Sequence, residues 1–311
     1  MAEIVAKVGF LDGEFLPWKD CKVHMYMQVV RYGFRVFEGI RAYWNEDKKQ
    51  LYVFRLHDHL NRLMDTGKLM RITIPYTKEE IAKIIVELFT RNEFRQDCYT
   101  QPSAYIGMGE VTSVTLGKDA VGFMAFAVPF DTSEKKEVVQ KACTSSWRSL
   151  SDDSQPRRMK VGSNYLNVRL ARLEAANGGY DTAILLTEQG KVSEGLIANL
   201  TMVRKGIPTI PPVTSDILEG ITRSTLIHLL KEEMGLTTAE RDIDRTELYV
   251  AEEVFLCGTG AEIAALGSID GIPVGNGGIG PVAKRLRELY FGIVRGKNPK
   301  YMDWLTPVYK K

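Results

Sequence analysis

A chain of 311 residues with 44% hydrophobic content can bury a sizeable core and is too apolar to stay disordered; its length suits two domains. The formal net charge is +2 and no long block of like charge occurs, so nothing draws the chain to nucleic acid or a membrane surface, and the expected partners are small molecules. No basic-then-apolar leader and no apolar run of membrane-spanning length is present, which gives a cytoplasmic expectation. Cys21, Cys98, Cys143 and Cys257 are scattered without C-x-x-C spacing, as reduced core thiols are.

In chain order, Asp12-Gly13 predicts a tight hairpin between residues 8–11 and 14–16. Strand formers follow over 32–43 and 51–55. From Leu56 the period changes: Leu56, Leu60, Leu63, Met64 and Leu69 form a helical stripe, with Arg62 off it. His57 and His59 on that helix are read as helix surface, and no metal site is expected. Thr77-x-x-Glu80 is a capping pattern that opens a second helix to about Arg91. Extended runs at 98–107 and 120–128 complete an α+β first half, and the polar stretch 130–137 has linker composition. The expected division is a small N-terminal domain over 1–129, a linker over 130–137 and a large C-terminal domain over 138–311.

The second half begins with a strand over 138–147 and a polar loop over 149–158. Met159-Lys160-Val161-Gly162-Ser163-Asn164-Tyr165 then places a lysine in a small, apolar turn at the end of an extended segment. A lysine desolvated there becomes a nucleophile that forms a Schiff base with an aldehyde. A helix over 165–177 stops at Gly178-Gly179, and residues 181–186 and 191–203 form a hairpin. That hairpin puts Glu194 inside a strand; taken alone it reads as an outward-facing glutamate, and buried it needs a cationic partner. Leu218-Glu219-Gly220-Ile221-Thr222-Arg223 runs from a glycine turn into a helix, an anion site made of free backbone N–H groups at the positive helix end. Residues 254–263, with Gly258-Thr259-Gly260, supply a second such turn; a hairpin at Asp270-Gly271 and a helix over about 281–294 follow.

A Schiff-base lysine, a carboxylate, a tyrosine five residues after the lysine, an arginine and two phosphate-type turns together describe a pyridoxal 5'-phosphate site. Glu194 would pair the pyridine nitrogen, Tyr165 the ring's phenolic oxygen, Arg62 the phosphate, and Leu218 would offer an apolar face to the ring.

The segments Tyr32-Gly33-x-x-Val36-Phe37-Glu38-Gly39-Ile40-Arg41, Phe54-Arg55 with Asn61-Arg62-Leu63, Lys160-x-Gly-x-Asn-Tyr165, Ser193-Glu194-Gly195, Gly220-Ile221-Thr222-Arg223 and Gly258-Thr259-x-Ala261-Glu262 resemble, in order and spacing, the fold-type IV pyridoxal-phosphate enzymes. Within these the chain is most similar to the branched-chain amino-acid aminotransferases. The resemblance implies an α+β fold like that of D-amino-acid aminotransferase, with a small N-terminal α/β domain and a larger domain built on a pseudo-barrel sheet. It implies ping-pong transamination of L-branched-chain amino acids with a 2-oxo acid, in a homodimer or larger homo-oligomer whose active site lies between the domains and receives loops from the neighbouring subunit. It makes Lys160 the catalytic lysine and Arg62, Tyr165, Glu194, Leu218, Ile221, Thr222 and Thr259 cofactor contacts. It puts Tyr32, Phe37, Gly39, Arg41, Tyr99, Gln101, Trp147, Gly260 and Ala261 around the substrate. An (R)-selective amine or D-amino-acid transaminase of the same fold is the alternative, and a lyase resembling aminodeoxychorismate lyase a more distant one.

Two departures fall among the substrate residues. Members that use glutamate usually carry Tyr-x-Arg-Pro, where the arginine helps bind the distal carboxylate; this chain has Tyr99-Thr100-Gln101-Pro102. Neutral hydrogen bonds are worth about 1 kcal/mol against roughly 1.5–3 for charged ones, so glutamate is expected to bind less well through position 101. A family Gly-Met-Gly-Val loop corresponds to about Thr112-Ser113-Val114-Thr115, whereas Gly107-Met108-Gly109 lies earlier. Arg31, Arg35 and Arg148 are candidates for a relocated carboxylate contact.

Overall fold

The structure, a computed structural model, describes residues 6–108, 120–136 and 138–309. Thr112–Thr115 and Gly109 lie outside them. Among the described residues no helix is long and apolar enough to cross a membrane.

The chain opens with β1 (Val8–Leu11) and β2 (Glu14–Pro17), turned at Asp12 and Gly13, whose φ angles of 47° and 103° suit a primed hairpin turn. A short helix α1 (Gln28–Tyr32) takes the start of the expected 32–43 strand, ended by Gly33 in the left-handed region. The remainder divides into β3 (Arg35–Phe37) and β4 (Ile40–Asn45), followed by β5 (Gln50–Phe54). In α2 (Leu56–Leu69) the predicted stripe buries Leu56, Leu60 and Leu63, while Leu69 is exposed. The capping box of α3 (Lys78–Asn92) forms as its sequence dictates: the Thr77 hydroxyl accepts from Glu80 N at 3.2 Å and Thr77 N donates to Glu80 Oε2 at 2.8 Å. β6 (Cys98–Ile106) and β7 (Val121–Pro129) follow.

After them come β8 (Val139–Thr144), α4 (Tyr165–Asn177), β9 (Thr182–Leu186) and β10 (Val192–Gly195). The expected single strand to residue 203 is broken after Gly195, whose N–H donates to Ala198 O, and resumes as β11 (Asn199–Arg204). Then follow β12 (Ile207–Ile210), α5 (Ile221–Met234), β13 (Ala239–Glu240), β14 (Glu253–Gly258), β15 (Glu262–Ile269), β16 (Ile272–Pro273) paired to β15 through the Asp270-Gly271 turn, α6 (Pro281–Val294) and β17 (Leu305–Pro307).

Two compact units result, and they are not the contiguous stretches expected from composition. The first takes 1–131, 159–163 and 292–311; the second takes 132–158 and 164–291. Pairing explains both exceptions. β17 adds antiparallel to β5, and Val161 bridges Val36. The first unit holds a sheet ordered β17-β5-β4-β6-β7-β1-β2, with β3 also on β6; the second holds β10-β9-β8-β15-β14-β11-β12-β13, with β16 on β15.

In the first unit one sheet face packs on α2 and α3 through Val36, Ile40, Ala104, Phe123, Ala125 and their neighbours. Alternation along β7, with Phe123, Ala125 and Ala127 buried and Met124 and Phe126 only partly so, leaves the other face for the side chains described below.

The stretch read as a linker is instead pinned within the units. Arg41 Nη1 donates to Phe130 O and Asp131 O in the first. In the second, Glu262 accepts from Thr132 Oγ1 and from the Ser133 amide and hydroxyl, and Arg287 donates to Ser133 O and Lys136 O.

The carboxyl-terminal strand depends on one buried amide. Gln50 Nε2 donates to Tyr309 O at 2.7 Å, and its Oε1 accepts from Tyr309 N at 2.8 Å. Replacing Gln50 with Ala removes these partners at a buried position. The expected result is a loss of about 2 kcal/mol in urea unfolding at unchanged m.

Candidate active site

In the first unit the Lys160 turn is fastened to β3. Phe37 N donates to Lys160 O at 3.0 Å, and Lys160 N donates to Thr66 Oγ1 at 3.4 Å. The Lys160 ammonium lies 4.9 Å from the centroid of the Phe37 ring. Gly162 lets the Arg35 side chain pack closely there, since a Cβ would stand 3.0 Å from Arg35 Nε.

Behind β3, on the helix side, Glu38 is fully buried. Its Oε1 accepts from Arg62 Nε at 2.7 Å, and its Oε2 from Arg62 Nη2 at 2.8 Å and His59 Nδ1 at 2.8 Å. His59 and Arg62 stand one turn apart on α2, so both reach the same carboxylate. Burial by itself raises the Glu38 carboxyl, but the Arg62 charge and the hydrogen bonds from His59 and Arg62 outweigh it and hold the group well below the usual carboxylate range. Burial pushes His59 down, against the pull of Glu38 and with help from the Arg62 and Lys160 charges. The pair is therefore a carboxylate receiving a proton-bearing Nδ1 from a neutral imidazole. The reading of His59 as helix surface is wrong, since its ring is buried. The sequence signal was a histidine three residues before Arg62, on the same helix face.

The substrate candidates of this unit share the opposite sheet face. Gly39 makes room for Tyr99, whose hydroxyl would lie 2.4 Å from an added Cβ. The Tyr99 ring meets Phe130 at 5.5 Å between centroids, and Gln101 Nε2 reaches Tyr99 Oη at 3.5 Å. Arg41, besides holding the 130–131 carbonyls, lies 4.3 Å over the Phe130 ring. Tyr32 stands apart at the end of α1, exposed, with its hydroxyl accepting from Arg31 Nη2 at 2.6 Å.

In the second unit Glu194 is buried on β10, as a carboxylate of the expected set and not outward-facing as it reads taken alone. The cation it needs is Arg157, which donates to Oε1 from Nη2 at 2.5 Å and from Nε at 3.1 Å. Oε2 accepts from Asn199 Nδ2 at 2.9 Å and Leu218 N at 3.3 Å. Arg157 and Asn199 were missed because one lies in a loop with no periodicity and the other beyond the break in the expected strand. Gly220 precedes α5 without any side-chain cap, and a Cβ there would sit 2.1 Å from Asn199 Oδ1. The first amides of α5, at Ile221 and Thr222, thus start a helix beside the buried carboxylate. Thr259, Gly260 and Ala261 form the turn between β14 and β15; Tyr165 begins α4 and Trp147 follows β8, both substantially exposed. Each unit thus brings together part of the expected set: Lys160, Arg62, Phe37, Gly39, Tyr99 and Gln101 in one, and Glu194, Leu218, Ile221 and Thr222 in the other.

The family model for amino-transferase class IV matches residues 35–269. The chain belongs to this family. It is 41% identical over 306 residues, 97% of both chains, to a probable branched-chain-amino-acid aminotransferase of Aquifex aeolicus. A branched-chain amino acid aminotransferase from Thermobaculum terrenum, solved in its PLP form, superposes with a TM-score of 0.95 at 39% identity, over 99% of this chain and all of that one. A branched-chain aminotransferase from the thermophilic archaeon Thermoproteus uzoniensis, solved with norvaline, superposes at 0.92 and 40% identity, over 98% of this chain and all of that one. The fold is therefore the mixed α+β fold of the class IV aminotransferases.

The cluster on α2 makes stability pH-dependent with a definite sign. A histidine whose folded pKa lies below its unfolded value of about 6.5 contributes stability that is complete above that value and is lost as pH falls beneath it. Glu38 adds a similar loss only below about pH 4.3. Urea midpoints taken from pH 7.5 to 5.0 are expected to fall for the natural chain and to fall less steeply for His59→Gln. Parallel slopes would show that His59 is not the source.

Proposed function

We propose that this class IV aminotransferase uses pyridoxal 5'-phosphate to transaminate L-branched-chain amino acids with a 2-oxo acid acceptor. The observation that carries the reading is the Lys160 turn, which is fastened to β3 by Phe37 N and holds its amine over the apolar Phe37 ring. The donor chemistry fits the cofactor. Lys160 would hold its aldehyde; the buried Glu194, kept as a carboxylate partner by Arg157, would face the pyridine nitrogen; Tyr165 would meet the phenolic oxygen and Leu218 the ring. The uncapped amides at Ile221 and Thr222, with Thr259 and Arg62, would take the phosphate. When bound, the group supplies an electron sink that lets the substrate's α-proton leave.

The chain's residues perform the remaining work. Lys160 Nζ moves a proton at the substrate Cα. Glu38 fixes the Nε–Nη2 edge of Arg62, so its guanidinium has one orientation. Phe37 and the Tyr99 ring, packed where Gly39 has no side chain, give this face apolar surface, which supports the branched-chain preference, as do the names of the relatives. Arg41, Trp147, Gly260, Ala261 and Tyr32 complete the substrate set in this reading. Assembly as a homodimer or larger homo-oligomer belongs to the same reading; exposed apolar side chains such as Met25, Val30, Leu166 and Leu173 are ones an interface would cover.

Absorption spectra of the protein purified with pyridoxal phosphate test the reading. L-leucine alone is expected to bleach the yellow form, whereas D-alanine and (R)-1-phenylethylamine do not; the reverse pattern assigns the chain to the (R)-amine or D-amino-acid reaction. Lys160→Ala is expected to slow the conversion by roughly 10³-fold or more. Gln101→Arg adds a charge to the substrate face, and a several-fold lower KM for 2-oxoglutarate is expected from a charged in place of a neutral contact. An unchanged KM removes position 101 from carboxylate binding.

A further inference from the structure

We infer that Arg35 and Ser103 together form the contact for the distal carboxylate of a dicarboxylic amino donor or 2-oxo acid acceptor. This deepens, and rests on, the aminotransferase reading above.

Two independent features point there. The Ser103 side chain is buried, and its hydroxyl has no hydrogen-bond partner among the described residues. A hydroxyl kept from water without a partner is costly, and a ligand oxygen is the simplest compensation. Ser103 pairs directly with Phe37 across β6 and β3, and lies two residues from Gln101 on the same face. Gln101, Met124 and Phe126 beside it are only partly buried.

The second feature is charge. The Arg35 guanidinium lies 4.9 Å from the Phe37 centroid, and the Lys160 ammonium lies 4.9 Å from the same centroid. Two cations are thus held around one ring, no farther apart than twice that distance. The Arg35 guanidinium over that ring stands on the same face as Ser103 and Gln101, and a guanidinium is the strongest donor for a carboxylate. Of the three arginines singled out in the sequence, Arg31 is turned to Tyr26 and Tyr32, and Arg148 is an exposed residue of the second unit; Arg35 shares the ring with the catalytic lysine. Arg35 supplies the charge that Gln101 lacks, and Ser103 supplies a neutral donor across the strand pair. Substrates with a second carboxylate gain both, whereas L-leucine gains neither.

The test compares the half-reactions of L-glutamate and L-leucine, followed by bleaching of the pyridoxal-phosphate form, in the natural enzyme and in Arg35→Gln, Arg35→Lys and Ser103→Ala. The glutamate-to-leucine ratio of kcat/KM is expected to fall about tenfold or more in Arg35→Gln, to recover most of that in Arg35→Lys, and to fall about fivefold in Ser103→Ala, with the change in KM. Thermal unfolding checks that each variant is folded. A ratio unchanged in Arg35→Gln and Ser103→Ala overturns the proposal, as does an equal loss for both substrates, which marks a structural or α-carboxylate role. A natural enzyme that reacts with L-leucine and ignores L-glutamate overturns it while leaving the aminotransferase reading intact; failure with every amino compound removes that reading instead.

Discussion

A fully buried carboxylate has to be paired wherever it occurs, and in the first unit that requirement organises everything around β3. Glu38 sits with no exposed surface, so its charge survives only because Arg62 and His59 reach it from α2. This fixes the rotation of α2 against the sheet. It also fixes the alternation of β3: with Glu38 and Val36 turned to the helices, Phe37 must face the other way. There it carries the Lys160 amine and, by its backbone N–H, the turn that presents it. One ion pair therefore sets both the orientation of the Arg62 guanidinium and the face to which Phe37 turns.

The second unit solves the same problem with other residues. Glu194 is held by Arg157 from the polar loop before the lysine turn and by Asn199 from the strand that resumes after the break at Gly195. Asn199 also accounts for Gly220, since any side chain there would collide with its amide. The glycine that reads in sequence as a loose phosphate turn is thus a packing necessity as well. In both units, the carboxylate that matters is buried against an arginine from a different element, which is why breaking either pair leaves an uncompensated charge rather than a missing contact.

Much of this was legible in the residues. The Asp12-Gly13 hairpin, the Thr77 capping box, the α2 stripe and the Lys160 turn appear where local chemistry puts them, because each depends on neighbours within a few positions. The failures share one cause. His59 reads as helix surface until Glu38 is placed beside it, and residues 130–136 as a linker until Glu262, Arg287 and Arg41 are seen to hold them; Glu194, outward-facing when read alone, is buried as the cofactor set requires. The assignment of residues 292–311 to the second half failed in the same way, since β17 belongs with β5 and is secured by Gln50.

The sequence by itself determined most of the elements and the family, and singled out Lys160 as the candidate reactive lysine, because turn chemistry, periodicity and ordered motif spacing are local properties. Only the tertiary structure decided which charges are buried, which arginine pairs which carboxylate, and that Arg35 and Lys160 share one aromatic ring. Those outcomes rest on contacts between residues far apart in the chain, and desolvation, which fixes their energies, exists only once the chain has closed around them.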